Sequence, residues 1–136
     1  GRVLPPTATI DAPLARSPHD RKKIAVSDSD RAKRAVTHYR TLEALRDATL
    51  IECRLETGRT HQVRVHMAHI GHPLLGDPVY ARSQRGHGAT LKSLGFVRQA
   101  LHAAELGFTH PVSGEPLLFR SALPADMQEL LSRLRV

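Results

Sequence analysis

Tryptophan is absent from this chain, and phenylalanine and tyrosine are so few that aromatics make up 4% of its 136 residues. That scarcity argues against a sheet that recognises nucleic acid by stacking bases on exposed rings. One cysteine, Cys53, excludes an internal disulfide. It falls at an apolar position of the run Leu50–Leu55, where it reads as a buried structural thiol in a reducing compartment, the cytoplasm. No apolar run approaches the roughly 20 residues of a membrane span. The start Gly1-Arg2-Val3 is neither an initiator methionine nor a signal peptide, which points to a fragment or a processed chain. Gly-x-Ser-x-Gly elbows, P-loops and dinucleotide fingerprints are missing too, and with them the chemistry each supports.

Acidic residues are also in short supply. Lysine and arginine number 20 against 13 aspartates and glutamates, for a formal charge of +7, and nine histidines add latent positive charge. Such a balance favours a polyanion, nucleic acid before an acidic membrane surface. The length suits one domain with a core of its own. The excess is concentrated in residues 15–34, where Arg16, Arg21, Lys22, Lys23, Arg31, Lys33 and Arg34 face Asp20, Asp28 and Asp30. This stretch reads as an irregular loop, either solvated or a clamp for phosphates.

Around it, Thr7–Ile10 follows Pro5 and Pro6 as a short strand. Ala35–Leu42 and Thr49–Leu55 form two more, joined near Arg46-Asp47. Ile51, Cys53 and Leu55 alternate with Glu52 and Arg54, the period of a half-buried strand. A helix is predicted from about Thr60 to Ile70, with Val63, Met67 and Ile70 on its core face and Gly71 as its C-terminal cap. Residues 71–98, broken by seven glycines and prolines, read mostly as loop. Leu101–Thr109 and Pro116–Ser121 form a hairpin around His110-Pro111, and Pro124 opens a last helix striped by Met127, Leu130, Leu131 and Leu134. Strands and helices are mixed without alternating. The fold class is α+β, a mixed and mainly antiparallel sheet with a few helices.

The densest chemistry lies in Thr57-Gly58-Arg59-Thr60-His61-Gln62-Val63-Arg64-Val65-His66. Arg59, His61 and Arg64 gather at the predicted start of a helix, where free N–H groups and the helix dipole favour an anion. His61 and His66 stand about 140° apart around a helix, so they do not face one metal ion, and no His-Glu-x-x-His or cysteine pair accompanies them. Asp77, between Gly76 and Pro78, reads first as a turn former, although it is the best carboxylate near the arginines.

That segment, Gly71-His72-Pro73-Leu74-Leu75-Gly76-Asp77-Pro78-Val79-Tyr80 and Arg98-Gln99-Ala100-Leu101-His102-Ala103, with Phe108-Thr109-His110-Pro111 behind, resembles in order and spacing the RluA/RluD branch of the RNA pseudouridine synthases. Leu74–Tyr80 and Ile10-Asp11-Ala12-Pro13 look closest to the RluD type, which acts on large-subunit ribosomal RNA. The resemblance implies that residues 1–136 are the C-terminal portion of a pseudouridine synthase catalytic domain. It also implies a reaction without cofactor or metal. A uridine is flipped out, its N1–C1′ bond is broken, and the uracil turns and rejoins through C5. The family's aspartate nucleophile or base stands in a His-Arg-Leu-Asp segment that this chain does not contain, so the chain alone is expected to be inactive.

By the same resemblance Arg64 is the catalytic arginine, expected to pair with that missing aspartate. Val63 and Leu101 line the uracil pocket, and Arg59, His61 and His66 assist in substrate binding. Arg21, Lys22, Lys23, Lys33, Arg34 and Arg98 are expected to contact RNA. A variant Arg64→Ala is expected to lose turnover and keep RNA binding. The competing class is a non-catalytic RNA-binding module.

Overall fold

A computed structural model describes residues 1–81, 86–109, 112–114 and 116–135. Its first sheet is antiparallel, with β1 (Thr7–Asp11) and β2 (Leu14–Arg16) separated by Ala12-Pro13, so that only β1 belongs to it. The chain continues through β3 (Ile24–Val26), β4 (Val36–Leu45) and β5 (Ala48–Leu55). In the sheet, β4 lies between β1 and β5. β4 and β5 meet through Arg46-Asp47, with Asp47 at φ 50°, a left-handed position that aspartate tolerates better than most residues. Ile10, Tyr39 and Met67 fill the core on one face of this sheet, joined by Val3, Ile51 and Cys53. Burial pushes the Cys53 thiol up to about 11, so at neutral pH it is an inert thiol packed in the sheet.

Residues 15–34 are not wholly irregular. β2 and β3 pair antiparallel from Leu14↔Val26 to Arg16↔Ile24. Leu14, Ala35 and Val65 form a small core beneath this hairpin, with Ile24, Val26 and Tyr80 packed on it. The basic side chains stand on a folded support.

α1 spans Gln62–His69, shorter than the predicted helix, because His61 ahead of it adopts a left-handed conformation (φ 56°). Its end is a Schellman turn: Gly71, at φ 87°, donates to the Ala68 carbonyl and His72 donates to that of Met67. The buried set differs from the expected face. Val63 and Ile70 are only half-buried, while Gln62, Arg64, Val65, His66 and Met67 are buried. Polar side chains win these positions because each has partners waiting, and a partnered polar group avoids the penalty of burial.

A second helix, α2 (Gly88–Leu94), lies where the sequence read as loop. Leu91 is its buried residue, and Gly95 at φ 66° ends it. β6 (Glu105–Thr109) and β7 (Pro116–Arg120) pair as a hairpin, although β6 starts four residues later than Leu101. Residues 101–104 instead follow Arg98, whose Nη1 donates to the carbonyls of Gln99 and Leu101. The expected turn residues His110 and Pro111 lie outside the described residues. α3 (Ala125–Leu134) begins after Pro124 and buries Met127, Leu130, Leu131 and Leu134. Three of these, Met127, Leu130 and Leu134, join Ala48, Leu91 and Phe96 in a second core at the far end of the β4–β5 hairpin. Among the described residues, no helix is long and apolar enough to cross a membrane.

Candidate functional site

The loop between β5 and α1 is fixed from within by Gln62, which is 2% exposed. Its amide oxygen accepts from the Thr57 hydroxyl (2.8 Å) and the Arg59 N–H (3.0 Å), and its NH2 donates to the Val36 carbonyl and Thr37 Oγ1 (both 3.0 Å). Every hydrogen-bonding position of the amide is thereby used. Thr37 Oγ1 in turn lies 2.8 Å from His66 Nδ1, and His66 Nε2 lies 2.9 Å from the Ala12 carbonyl. A carbonyl can only accept, so Nε2 carries the proton and Nδ1 accepts from Thr37. Burial holds the His66 pKa below its ordinary value, in keeping with that neutral ring.

Arg64, in the first turn of α1, faces the Gly76-Asp77-Pro78 turn. Its Nε and Nη2 donate to Asp77 Oδ2 and Oδ1, each at 2.9 Å, and the Asp77 side chain is fully buried. Asp77 Oδ1 also accepts the N–H groups of Val79 (2.9 Å) and Tyr80 (3.1 Å). Burial alone would raise the Asp77 pKa, but Arg64 and the two amides outweigh it and hold the carboxyl below its usual range. The turn expected for Asp77 is present, and the same carboxylate is the partner of Arg64. Among the described residues, Asp77 is thus the carboxylate partner of Arg64. Sequence offered one unused signal: Asp77 is the only acidic residue between Glu56 and Glu105.

Tyr80 closes the arrangement. Its hydroxyl accepts the Ile24 N–H of β3 (3.0 Å) and lies 2.8 Å from His61 Nδ1, while the Arg64 guanidinium sits 5.1 Å from its ring centroid. Burial, then the charge of Arg64, keep the His61 pKa below its ordinary value. Neither Gln62 nor Tyr80 was singled out in the sequence, since each reads there as an ordinary loop or helix residue.

Two depressions flank this framework. A cleft of about 380 Å³ is lined by Leu55, Arg59, His61, Gln62, Val63, Arg64, Gln99 and Leu101. It brings together Arg64, Arg59, His61, Val63 and Leu101, five of the six expected catalytic and substrate-binding residues. His66 is the exception, enclosed with both ring nitrogens occupied. Among the described residues, no carboxylate lines the cleft.

A larger groove of about 790 Å³ runs between the β2–β3 hairpin and Gly58–Thr60, with Arg16, Arg21, Arg31, Lys33 and Arg59 on its walls. Among the described residues none of these five has a carboxylate within 4.0 Å. Lys22 and Lys23 are exposed at the tip of the same hairpin. Arg34 and Arg98 are placed differently. Arg34 pairs with Glu56, which also accepts from His38, and Arg98 makes a bidentate pair with Asp126. Among the described residues, no three His, Cys, Asp or Glu side chains group as a metal site requires.

Comparison with known proteins matches this geometry to one family. The sequence model described as RNA pseudouridylate synthase matches residues 3–69. Ribosomal large subunit pseudouridine synthase D of Zymomonas mobilis is 61% identical over 127 residues, covering 93% of this chain and 40% of that protein. The protein of the same name in Xanthomonas campestris is 54% identical over 132 residues, with 93% and 39% covered. Human RNA Pseudouridylate Synthase Domain Containing 4 superposes with a TM-score of 0.70 at 28% identity, over 96% of this chain and 57% of its own. Its domain-containing-1 counterpart gives 0.71 at 25% identity, over 90% and 50%. The chain thus spans about two fifths of the length of the curated relatives it matches.

Proposed function

Because the chain belongs to the RNA pseudouridylate synthase family, we propose that it forms part of an enzyme that isomerises uridine to pseudouridine in large-subunit ribosomal RNA. In this reading residues 1–136 are the C-terminal portion of the catalytic domain, and the protein works in the cytoplasm without a cofactor. One observation carries the proposal: a cleft lined by Arg64, Arg59, His61, Val63 and Leu101 shares Arg59 with a groove whose cations have no carboxylate partner among the described residues. The apolar walls suit a flipped uracil, and the groove suits the phosphates that flank it. Flipping costs a few kcal/mol of lost stacking, which backbone contacts and the pocket must offset.

Arg64 is the residue assigned to catalysis, held in orientation by its two bonds to Asp77. A guanidinium so fixed presents its remaining N–H groups without having to reorganise. Arg59 and His61 line the same cleft and take the substrate contacts, with Val63 and Leu101 against the base. Arg21, Lys22, Lys23 and Lys33 take phosphates. Arg34 and Arg98 join them only by releasing their carboxylate partners. The cleft supplies cations and apolar surface but no carboxylate, so a nucleophilic aspartate has to come from outside these residues.

The test is release of tritium from RNA labelled at uridine C5. A full-length protein containing this chain releases it, and the chain alone releases none. Release by the chain alone would refute the division of labour described here. The absence of a cleft carboxylate also favours a second reading, an RNA-binding module without chemistry, and a full-length protein that binds RNA but releases no tritium would establish it.

A further inference from the structure

We infer that Tyr80 is a positioning residue that ties the basic β2–β3 hairpin to the Arg64 cleft, so that RNA phosphates held in the groove are set at a fixed distance from the base in the cleft. This rests on the function proposed above and adds to it a residue with no direct contact to substrate.

Three separate contacts converge on this one side chain. Its backbone N–H is fixed by Asp77, the same carboxylate that grips Arg64. Its hydroxyl accepts from Ile24 N–H at 3.0 Å and is hydrogen-bonded to His61 Nδ1 across 2.8 Å, so one oxygen bridges the hairpin and the cleft wall. Its ring packs among Leu14, Ile24, Val26 and Val65 beneath the hairpin, edge-on to His61 and against the Arg64 guanidinium.

The bridge adds a tether at β3 to a hairpin that is otherwise anchored at its Leu14 end, by paired backbone bonds to Lys33, and on the Leu14–Ala35–Val65 core. β2 and β3 are three residues each, and a two-stranded hairpin is marginal in water without further packing. The Ile24 N–H is a ladder-edge donor that Tyr80 satisfies, and His61 is a non-glycine residue at φ 56° that needs an external contact to stay there. Removing the hydroxyl releases both ends at once. The ring contacts with Arg64 and the small core remain, so Tyr80→Phe separates the tether from the packing.

The experiment compares wild-type and Tyr80→Phe full-length protein. Three quantities are measured: amide hydrogen exchange at residues 22–26, RNA affinity as a function of salt, and pseudouridine formation. Loss of two hydrogen bonds is expected to raise the RNA Kd and KM about tenfold, with kcat changed by less than about threefold. Exchange at Ile24 should quicken by a similar factor, and the salt slope should become shallower as groove contacts are lost. Arg21→Ala should then cost less affinity in the Tyr80→Phe background than in wild type, the mark of two groups acting through one hairpin. A merely structural role would lower stability and leave the salt slope and the Arg21 coupling unchanged, and that result would overturn the inference. So would a fall in kcat at constant KM. If wild-type protein binds RNA but forms no pseudouridine, the enzyme reading fails by itself. The tether is still decided by Kd, salt slope and exchange.

Discussion

Arg64 and Asp77 are each all but removed from water, so neither is simply replaceable. Truncating one partner of a buried pair leaves the other charge without compensation, which costs about 3–5 kcal/mol. Arg64→Ala is therefore expected to destabilise the site as well as remove its chemistry, so its RNA affinity is to be measured beside its stability. Asp77→Asn should lower stability by about 3–5 kcal/mol in urea unfolding at neutral pH for the same reason. The pH dependence has a definite sign. The folded-state pKa of Asp77 lies below its ordinary value of 3.8. Its stabilisation is therefore complete above that value and is lost as pH falls through the folded pKa. His66 acts at higher pH. Its folded pKa is also depressed, so stability is full above the ordinary 6.5 and declines as pH drops below it, because the unfolded chain takes up the proton first. Replacing His66 by Gln should flatten the stability profile just below pH 6.5 and leave the acid limb of Asp77 in place.

At the scale of elements, the long alternating run was legible and the short pieces were not. β5 announces itself through Ile51, Cys53 and Leu55, and α3 through its four buried apolar residues. β2, β3 and α2 are too short for periodicity to emerge. Leu14-Ala15-Arg16 and Ile24-Ala25-Val26 are submerged in charge, and α2 sits between Gly86 and Gly95. The α1 face was misjudged because Gln62, Arg64 and His66 look like surface residues until their partners on β4, at Asp77 and at Ala12 are known. The cleft residues were legible as a motif, while the Arg64 partner depended on a turn 13 residues downstream. That turn has its own requirement. A Cβ on Gly76, whose φ is +75°, would lie 2.1 Å from the Arg98 carbonyl oxygen. Gly76→Ala should cost about 1–3 kcal/mol and push the Arg98–Leu101 segment away from the cleft. Solvent accessibility of Leu101, read by labelling a Leu101→Cys variant, should rise with it. Unchanged stability would mean the turn relaxes freely and does not fix the cleft wall.

For the whole molecule, charge is arranged so that its excess is useful. Among the described residues, five cations line one groove without carboxylate partners, while Arg34, Arg40, Arg98 and Arg135 are paired with glutamate or aspartate. The surface pairs contribute little stability, about 0–1 kcal/mol each. Their effect is to offset positive charge outside the groove, while the groove keeps its own five cations for an anion. RNA affinity should therefore fall steeply with salt, and a combined Arg21→Ala, Lys33→Ala variant should reduce the slope of log K against log salt by about 1.5. An unchanged slope would place the RNA elsewhere.

Arg64→Lys in the full-length protein tests the central claim, that the cleft around Arg64 is where uridine reacts. Lysine keeps the charge beside Asp77 but cannot reproduce the two-pronged grip. Single-turnover pseudouridine formation and RNA Kd are measured on the same preparation. The account predicts that turnover falls by about a thousandfold or more, as for removal of an oriented electrostatic group, while Kd stays within about threefold. Turnover and affinity falling together, or turnover surviving, would contradict it.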